Sequence, residues 1–183
     1  MKTIVTQIPN LRDFYKGRKT LEVGYPWLTF GSIMALEKIL KDSRYGFNIL
    51  EMGSGGSTLF FEQRCASLWS LENDRLWAEM VEEKLTTDKV DLTCARVNKL
   101  IRKVEAAPDN SFDLILVDSC SGGATYANRQ RMLDASIPKL KKGGWMVLDN
   151  YEHLDFDYAK YDTYTFDMFH YSGRGTKLCK KLY

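Results

Sequence analysis

Apolar residues nowhere run unbroken for anything near the roughly 20 positions that a bilayer span needs, so no membrane-crossing helix is expected. The opening stretch Met1 to Pro9 is too short an apolar run for a secretory signal, which leaves a soluble, cytoplasmic protein as the expectation. Cysteine is sparse. Cys65, Cys94, Cys120 and Cys179 form neither the close pairs of a zinc site nor the density of a secreted disulfide scaffold, and reduced, structural thiols are expected. An excess of one charge is lacking as well: 26 basic against 24 acidic side chains leave a formal net charge of +2, which makes no whole-surface case for nucleic acid or an anionic membrane as partner. The lysine clusters at 139–142 and 177–181 are expected to be solvated ends of elements. Repeats, low-complexity tracts and linkers are missing too. A length of 183 residues with 44% hydrophobic content therefore predicts one compact domain, 1–183, whose core needs no disulfide or metal staple. Residues 1–28, weakly periodic, are an N-terminal extension to it.

Against these absences stands one dense motif. From Asn48 to Thr58 the chain runs NILEMGSGGST: an apolar strand passes through the acid Glu51 into Gly53, Ser54 and Gly55 and then a helix-compatible segment. Glycines there let the backbone turn tightly and approach a ligand, while the first N–H groups of the following helix stay available to it. A second acid, Glu72, closes the strand-like run from Ser67 about 20 residues further on, where nucleotide-binding folds hold ribose hydroxyls. The same glycines would also serve a plain strand-to-helix turn, and Glu72 could be a helix-start acid beside Asn73 and Asp74.

The rest of the chain alternates. Pro26 and a capping Thr29 introduce a helix over 30–41 with Ile33, Leu36 and Leu40 on one stripe, interrupted by Glu37. A buried strand over 47–50 and a helix over 57–64 follow. Asn73 or Asp74 then caps a helix expected to turn Leu76, Trp77, Met80, Val81 and Leu85 toward the sheet. Strands over 90–97, 112–118 and 145–149 and helices over 100–106 and 129–140 continue the pattern, and the nearly all-apolar run ending at Asp118 suits a central parallel strand. Two strand-like runs, 164–171 and 176–182, are separated by Ser172 to Gly175 with no room for a helix, which predicts a hairpin. Residues 149–162 are the longest loop candidate. Strands alternating with helices predict an α/β fold on an open parallel sheet.

In this order the residues resemble the class I S-adenosylmethionine-dependent methyltransferases. The likeness rests on Glu51 to Gly56, Glu72 after the second strand, Asp118 after the fourth, the Gly143-Gly144 turn, Asp149-Asn150 after the fifth, and the closing hairpin. It implies a doubly wound, mostly parallel seven-stranded Rossmann-like sheet with a C-terminal antiparallel hairpin, and S-adenosyl-L-methionine as cofactor. Carried over position by position, Glu51 and the backbone of Gly53, Ser54 and Gly55 would face the methionine end of the cofactor, with Glu51 toward its ammonium. Glu72 would accept the ribose hydroxyls, and Asn98, beside Val97, would lie near adenine. A dinucleotide fingerprint needs a third glycine where this chain has Thr58, which fits a cofactor without pyrophosphate.

Asp118 with Asp149 and Asn150 resembles a narrower group, the metal-dependent catechol-type O-methyltransferases. That likeness implies Mg2+ on three oxygen ligands, orienting a hydroxyl pair and lowering its pKa. Metal-free relatives carry acids at the same strand ends, and the loop Ser119 to Thr125 lacks the lysine base of the metal group. Asp118 is also a candidate catalytic and cofactor-side residue. His153 is a candidate general base, since its ordinary pKa lies near neutrality, with a surface ion pair to Glu152 or Asp155 as the competing expectation. Arg129 and Arg174 could hold a substrate carboxylate or phosphate, although a surface role is favoured for both; Tyr126, Arg131 and His170 also fall near the expected mouth. Tyr25, Trp27 and Phe30 precede the first strand, and core packing is expected for at least two of them. The short extension predicts an open site and a small molecule, a sugar or an exposed chain end as acceptor. An enzyme methylating oxygen is the leading expectation. An aminopropyltransferase-like or other nucleotide-binding enzyme and a non-catalytic subunit of the same fold are the alternatives.

Overall fold

A computed structural model describes residues 20–43, 46–118, 125–167 and 175–183. The strands, in chain order, are β1 (Asn48–Met52), β2 (Ser67–Glu72), β3 (Val90–Cys94), β4 (Phe112–Val117), β5 (Leu140–Asp149), β6 (Tyr161–Phe166) and β7 (Thr176–Lys181). The helices are α1 (Thr20–Val23), α2 (Phe30–Lys41), α3 (Gly56–Glu62), α4 (Arg75–Glu82), α5 (Val97–Ala106) and α6 (Thr125–Ser136). All of the strands join one seven-stranded sheet in the order β3-β2-β1-β4-β5-β7-β6. The first five pair in parallel, while β7 lies antiparallel between β5 and β6. This is the doubly wound sheet with an antiparallel C-terminal pair that the family resemblance implies. The strand order reverses between β1 and β4, and a crevice opens at the C-terminal strand ends at such a switch point.

Alternation along each strand divides the core in two. Ile49, Leu68, Leu114, Leu116, Val147 and Leu178 pack with Ile33, Leu36 and Leu40 of α2 and Phe60 and Phe61 of α3. On the opposite face Leu50, Met52, Ile115, Val117, Met146 and Leu148 meet Leu100, Ile101 and Val104 of α5 and Met132 and Leu133 of α6. With a helical layer on both faces β4 has no solvent side, hence its unbroken apolar run. Glu37, the interruption in the α2 stripe, forms an ion pair with Arg64 at 2.7 Å.

Several boundaries differ from the sequence expectation. The helix expected from 100 starts at Val97, because Val97, Leu100, Ile101 and Val104 already hold helical spacing and the strand before them ends at Cys94. Helix α6 begins four residues earlier than expected, at Thr125, and ends at Ser136 ahead of a 3₁₀ turn over Ile137–Lys139. Gly143 and Gly144, expected to stop that helix, lie inside β5, whose register against β4 shifts between Phe112 and Leu114. In the expected loop, two 3₁₀ turns, Tyr151–His153 and Tyr158–Lys160, lead to a strand that starts at Tyr161 rather than 164.

Helix α4 is rotated from its expected setting. Asp74 caps it by accepting the Trp77 N–H at 3.1 Å, and Ala78 and Val81 are the buried pair, leaving Leu76 73% exposed and Met80 40% exposed. The lysine clusters are not simply solvated either. Lys139 is buried and donates to the carbonyls of Glu105 and Ala107 and to Asp109, closing the end of α5, while Lys177 lies over the rings of Tyr151 and Tyr158. Residues 1–19, Cys120 and the rest of the 119–124 loop, His170 and Arg174 lie outside the described residues. Among the described residues no helix is long and apolar enough to cross a membrane.

Candidate active site

Two polar corners form at the C-terminal ends of the central strands. The first is built by β1, β2 and the turn between β1 and α3. Strand alternation puts Glu51 on the same face as Ile49, yet fully buried among hydroxyls rather than hydrocarbon: Thr58 and Ser70 each donate to Oε2 at 2.6 Å. Its other oxygen, Oε1, is buried without a hydrogen-bond partner among the described residues. Burial pushes Glu51 up to about 7; the Ser57, Ser70 and Thr58 hydroxyls oppose that rise, and the negative charge of Asp118 adds to it. Gly53 turns the chain at φ +97°, a conformation costly for a residue with Cβ, and its N–H returns to the Leu71 carbonyl at 2.8 Å. The Gly55 N–H donates to the Thr58 hydroxyl at 2.8 Å, so Thr58 relays between the turn and Glu51.

Glu72 is the second acid of this corner and is also buried. Its Oε1 accepts the N–H groups of Asn73 and Asp74 at 2.7 and 2.9 Å, and its Oε2 accepts the N–H and hydroxyl of Ser54, both at 3.0 Å. A carboxylate has about four lone-pair positions, and these are filled. Of the donors only the Ser54 hydroxyl can rotate away without moving backbone. Trp77 is directed to the glycine turn, where its indole N–H donates to the Ser54 carbonyl at 2.7 Å and its ring lies beside Gly55. The chain from Thr20 to Tyr25 lies against the start of α3 so closely that a Cβ on Gly56 would collide with the Tyr25 carbonyl and sit 2.7 Å from that of Thr20.

The second corner lies one strand further along. The Asp118 N–H donates to Met52 O at 3.0 Å, tying the end of β4 to β1. Arg129 reaches in from α6 and is 8% exposed: its Nη2 meets Asp118 Oδ1 at 3.3 Å, and its Nη1 donates to the Asp149 carbonyl at 3.0 Å and to Asn150 Oδ1 at 3.4 Å. The Asp149 carboxylate is hydrogen-bonded to Asp118 and accepts the Thr176 hydroxyl at 3.2 Å; Thr176 in turn accepts the Thr29 N–H at the start of α2. Burial raises Asp149 to about 6, against the pull of the Arg129 charge and of hydrogen bonds from Thr176 and Asp118. Asn150 holds a left-handed conformation, φ +49°, which suits its residue type. Beyond it, the exposed His153 ring stacks on Tyr126 with centroids 4.0 Å apart.

A methyltransferase-domain family profile matches residues 50–151, more than half of the chain, including the acids of both corners. The chain belongs to this methyltransferase family. Its fold is shared with the O-methyltransferase from Bacillus cereus solved in complex with SAH, at 15% identity and TM-score 0.69 over 96% of this chain and 93% of that one. The O-methyltransferase TomG from Streptomyces achromogenes, involved in tomaymycin synthesis and solved with SAM, matches at 15% identity and TM-score 0.65 over 92% of each chain. An rRNA methylase from Streptococcus thermophilus matches at 9% identity and TM-score 0.62 over 83% of this chain and 96% of that one. No functionally curated protein matches the chain in sequence. The chain is thus a methyltransferase by family, with the fold that these structures share.

In this methyltransferase the expected residues separate into those the fold brings together and those it does not. Glu51, Gly53, Ser54, Gly55 and Glu72 share the first corner, and the unpartnered buried Oε1 of Glu51 beside a glycine turn fits a cofactor with a cationic amino group. Asn98 does not join them: it is exposed on the first turn of α5 and accepts from Arg131 at 3.0 Å. Asp118, Asp149 and Asn150 do meet, but around a guanidinium. As placed, their oxygens do not fit Mg2+, since the Arg129 guanidinium spans them and the Asp149 carboxylate is engaged by Thr176 and Asp118. Among the described residues no group of three or more His, Cys, Asp and Glu side chains could hold a metal ion. His153 forms no ion pair with Glu152 or Asp155; Glu152 instead accepts the Gly175 N–H at 2.7 Å. Of the aromatics before β1, Tyr25 packs on Phe60 and Trp27 is 49% exposed.

Sequence reading missed Thr58, Ser70, Trp77, Thr176 and the buried role of Arg129. For Arg129 a signal existed: with Met132, Leu133 and Ser136 it occupies positions i, i+3, i+4 and i+7, the buried face of α6.

Proposed function

We propose that this methyltransferase transfers the methyl group of S-adenosylmethionine to a hydroxyl oxygen of a small molecule or sugar. The observation that carries the reading is the adjacency of the two corners: an unpartnered buried carboxylate oxygen with its glycine turn at the ends of β1 and β2, and Asp118 with Arg129 beside it at the end of β4. S-adenosylmethionine, when bound, supplies a methyl carbon made electrophilic by its sulfonium. The chain's own part is to bind, orient and exclude water, which is most of what methyl transfer needs. Glu51 Oε1 would take the amino group of the cofactor, and the Gly53 to Gly55 backbone would lie along its methionine end. Glu72 would accept the ribose hydroxyls once the Ser54 hydroxyl rotates off Oε2. Asp118, partly exposed, would accept the acceptor's hydroxyl hydrogen, with Arg129 holding the carboxylate in place and His153 and Tyr126 forming the outer wall. The O-methyltransferase neighbours support oxygen as acceptor atom, and the buried free thiols of Cys65 and Cys179 suit a cytoplasmic, reducing setting.

One observation favours a second reading, a non-catalytic subunit of the same fold: Glu72 is already saturated by its four donors. Calorimetric titration with S-adenosylmethionine, S-adenosylhomocysteine and NAD separates the two. Selective binding of the first two, abolished in a folded Glu72→Ala variant, is expected. Binding of none by folded protein would establish the second reading, and unchanged affinity in Glu72→Ala would remove the ribose assignment.

A further inference from the structure

We propose that Arg129 is the resident cation of the acidic corner, a positioning residue that joins the ends of β4 and β5 and keeps divalent metal ions out. The resemblance to metal-dependent enzymes makes Asp118, Asp149 and Asn150 a ligand set, whereas the geometry makes them the anchorage of a side chain. One guanidinium touches an oxygen from each of the three: the Asp118 carboxylate at 3.3 Å, the Asp149 carbonyl at 3.0 Å and the Asn150 amide oxygen at 3.4 Å. A divalent ion would perform the same two tasks, neutralising Asp118 and fixing one strand end against the other. Arginine performs them with a charge that cannot be deprotonated and a planar fork of donors that spans several oxygens at once.

Three further features make the arrangement permanent rather than exchangeable. Arg129 is delivered from the buried face of α6, anchored by Met132 and Leu133 in the core, so its charge cannot dissociate as an ion does. It is 8% exposed, which leaves little room for a hydrated Mg2+ that keeps several waters. The Asp149 carboxylate, the strongest hard donor of the set, is already engaged by the Thr176 hydroxyl, itself held by the start of α2, and by Asp118. A metal ion would have to displace the arginine and compete with the contacts that Asp149 already makes. The inference rests on the methyl-transfer reading only for its catalytic consequence, turnover indifferent to chelator. The occupancy claim stands on the corner itself.

The test is direct Mn2+ binding, followed by electron paramagnetic resonance of free Mn2+, to wild type, Arg129→Ala, Arg129→Lys and the double variant Arg129→Ala/Asp118→Asn. Circular dichroism and S-adenosylhomocysteine calorimetry on the same samples report folding and the cofactor corner separately. Wild type is expected to leave Mn2+ free. Arg129→Ala, with the acids uncovered, is expected to bind one Mn2+ at least about ten-fold more tightly than wild type, a gain that the double variant loses. Arg129→Lys keeps the charge and is expected to exclude the ion, so a fold loss confined to Arg129→Ala still leaves wild type, with Asp118→Asn as its control, to decide. One Mn2+ bound to wild type and lost in Asp118→Asn would overturn the proposal, as would a folded Arg129→Ala that gains no affinity. Failure to bind S-adenosylhomocysteine with the metal results as expected would count against the cofactor reading alone.

Discussion

Glu51 should make the ligand-free protein less stable as pH rises through the weakly acid range, and Glu51→Gln should remove that dependence. The carboxyl is fully buried, and its pKa is raised from 4.5 to about 7 chiefly by desolvation. The native state therefore binds the proton more tightly than the unfolded chain, and the sign follows: below about 4.5 both states are protonated and there is no penalty, while between about 4.5 and 7 the unfolded state ionises first and is favoured. At about 1.4 kcal/mol per pKa unit, the wild type gives up ~3 kcal/mol by pH 8. Glutamine is isosteric, can still accept the Thr58 and Ser70 hydroxyls, and does not ionise. Asp149, raised to about 6, adds a slope of the same sign to both proteins, and it largely cancels in the difference. Urea unfolding at pH 5, 6, 7 and 8 should show wild type losing about 2.5 kcal/mol relative to Glu51→Gln across the series, the remainder having been lost below pH 5. A difference flat to within about 0.5 kcal/mol would refute the reasoning, because it would mean that Glu51 is ionised and solvated in the native state. If the cofactor's amino group does pair with Oε1, binding near pH 7 should also release about half a proton, read from calorimetry in buffers of different ionisation heat.

Thr58→Val, which keeps the shape and removes the hydroxyl, should cost about 2–4 kcal/mol of unfolding free energy, because a hydrogen bond to a buried carboxylate is lost and the Gly55 N–H is stranded; Thr58→Ser should recover most of it. Gly56→Ala should free the segment 20–25 from the start of α3, since the new methyl meets two carbonyls, and limited proteolysis near Tyr25 should accelerate. Leu76→Lys and Met80→Lys should each change stability by less than about 0.5 kcal/mol, where the expected inward-facing orientation would have cost several; chemical denaturation decides.

The fold was legible wherever hydrophobic period and chain order carried it. Strand β4 is apolar throughout because both its faces are covered, and the hairpin follows from two strand-like runs with no helix between them. Boundaries were less legible where local chemistry outweighs period. Asp74 fixes the start of α4, and Trp77, engaged with the Ser54 carbonyl, fixes its rotation; a hydrophobic count over Leu76 and Met80 contains neither contact. Gly143 and Gly144 resemble a helix stop in one dimension, but here they let β5 change register against β4.

The site was half legible for a related reason. The residues proposed to meet the cofactor through one turn of backbone, Glu51 and Gly53 to Gly55, lie together in the chain and declare themselves. Residues that tune them come from elsewhere: Ser70 from the next strand, Thr176 from the C-terminal hairpin, Arg129 from the buried face of α6. Thr58 shows the limit most clearly. Against a glycine fingerprint it registers as a missing glycine, yet its hydroxyl accepts from Gly55 and donates to Glu51, joining the turn to the acid in one chain of hydrogen bonds. Asp118 shows the converse. Acids at neighbouring strand ends resemble a Mg2+ ligand set in sequence, whereas the cation the fold brings to Asp118 is the Arg129 side chain. Charge balance is therefore readable from sequence before the balancing group is, because the requirement is local to the strand ends while the means of meeting it depends on which helix the fold packs over them.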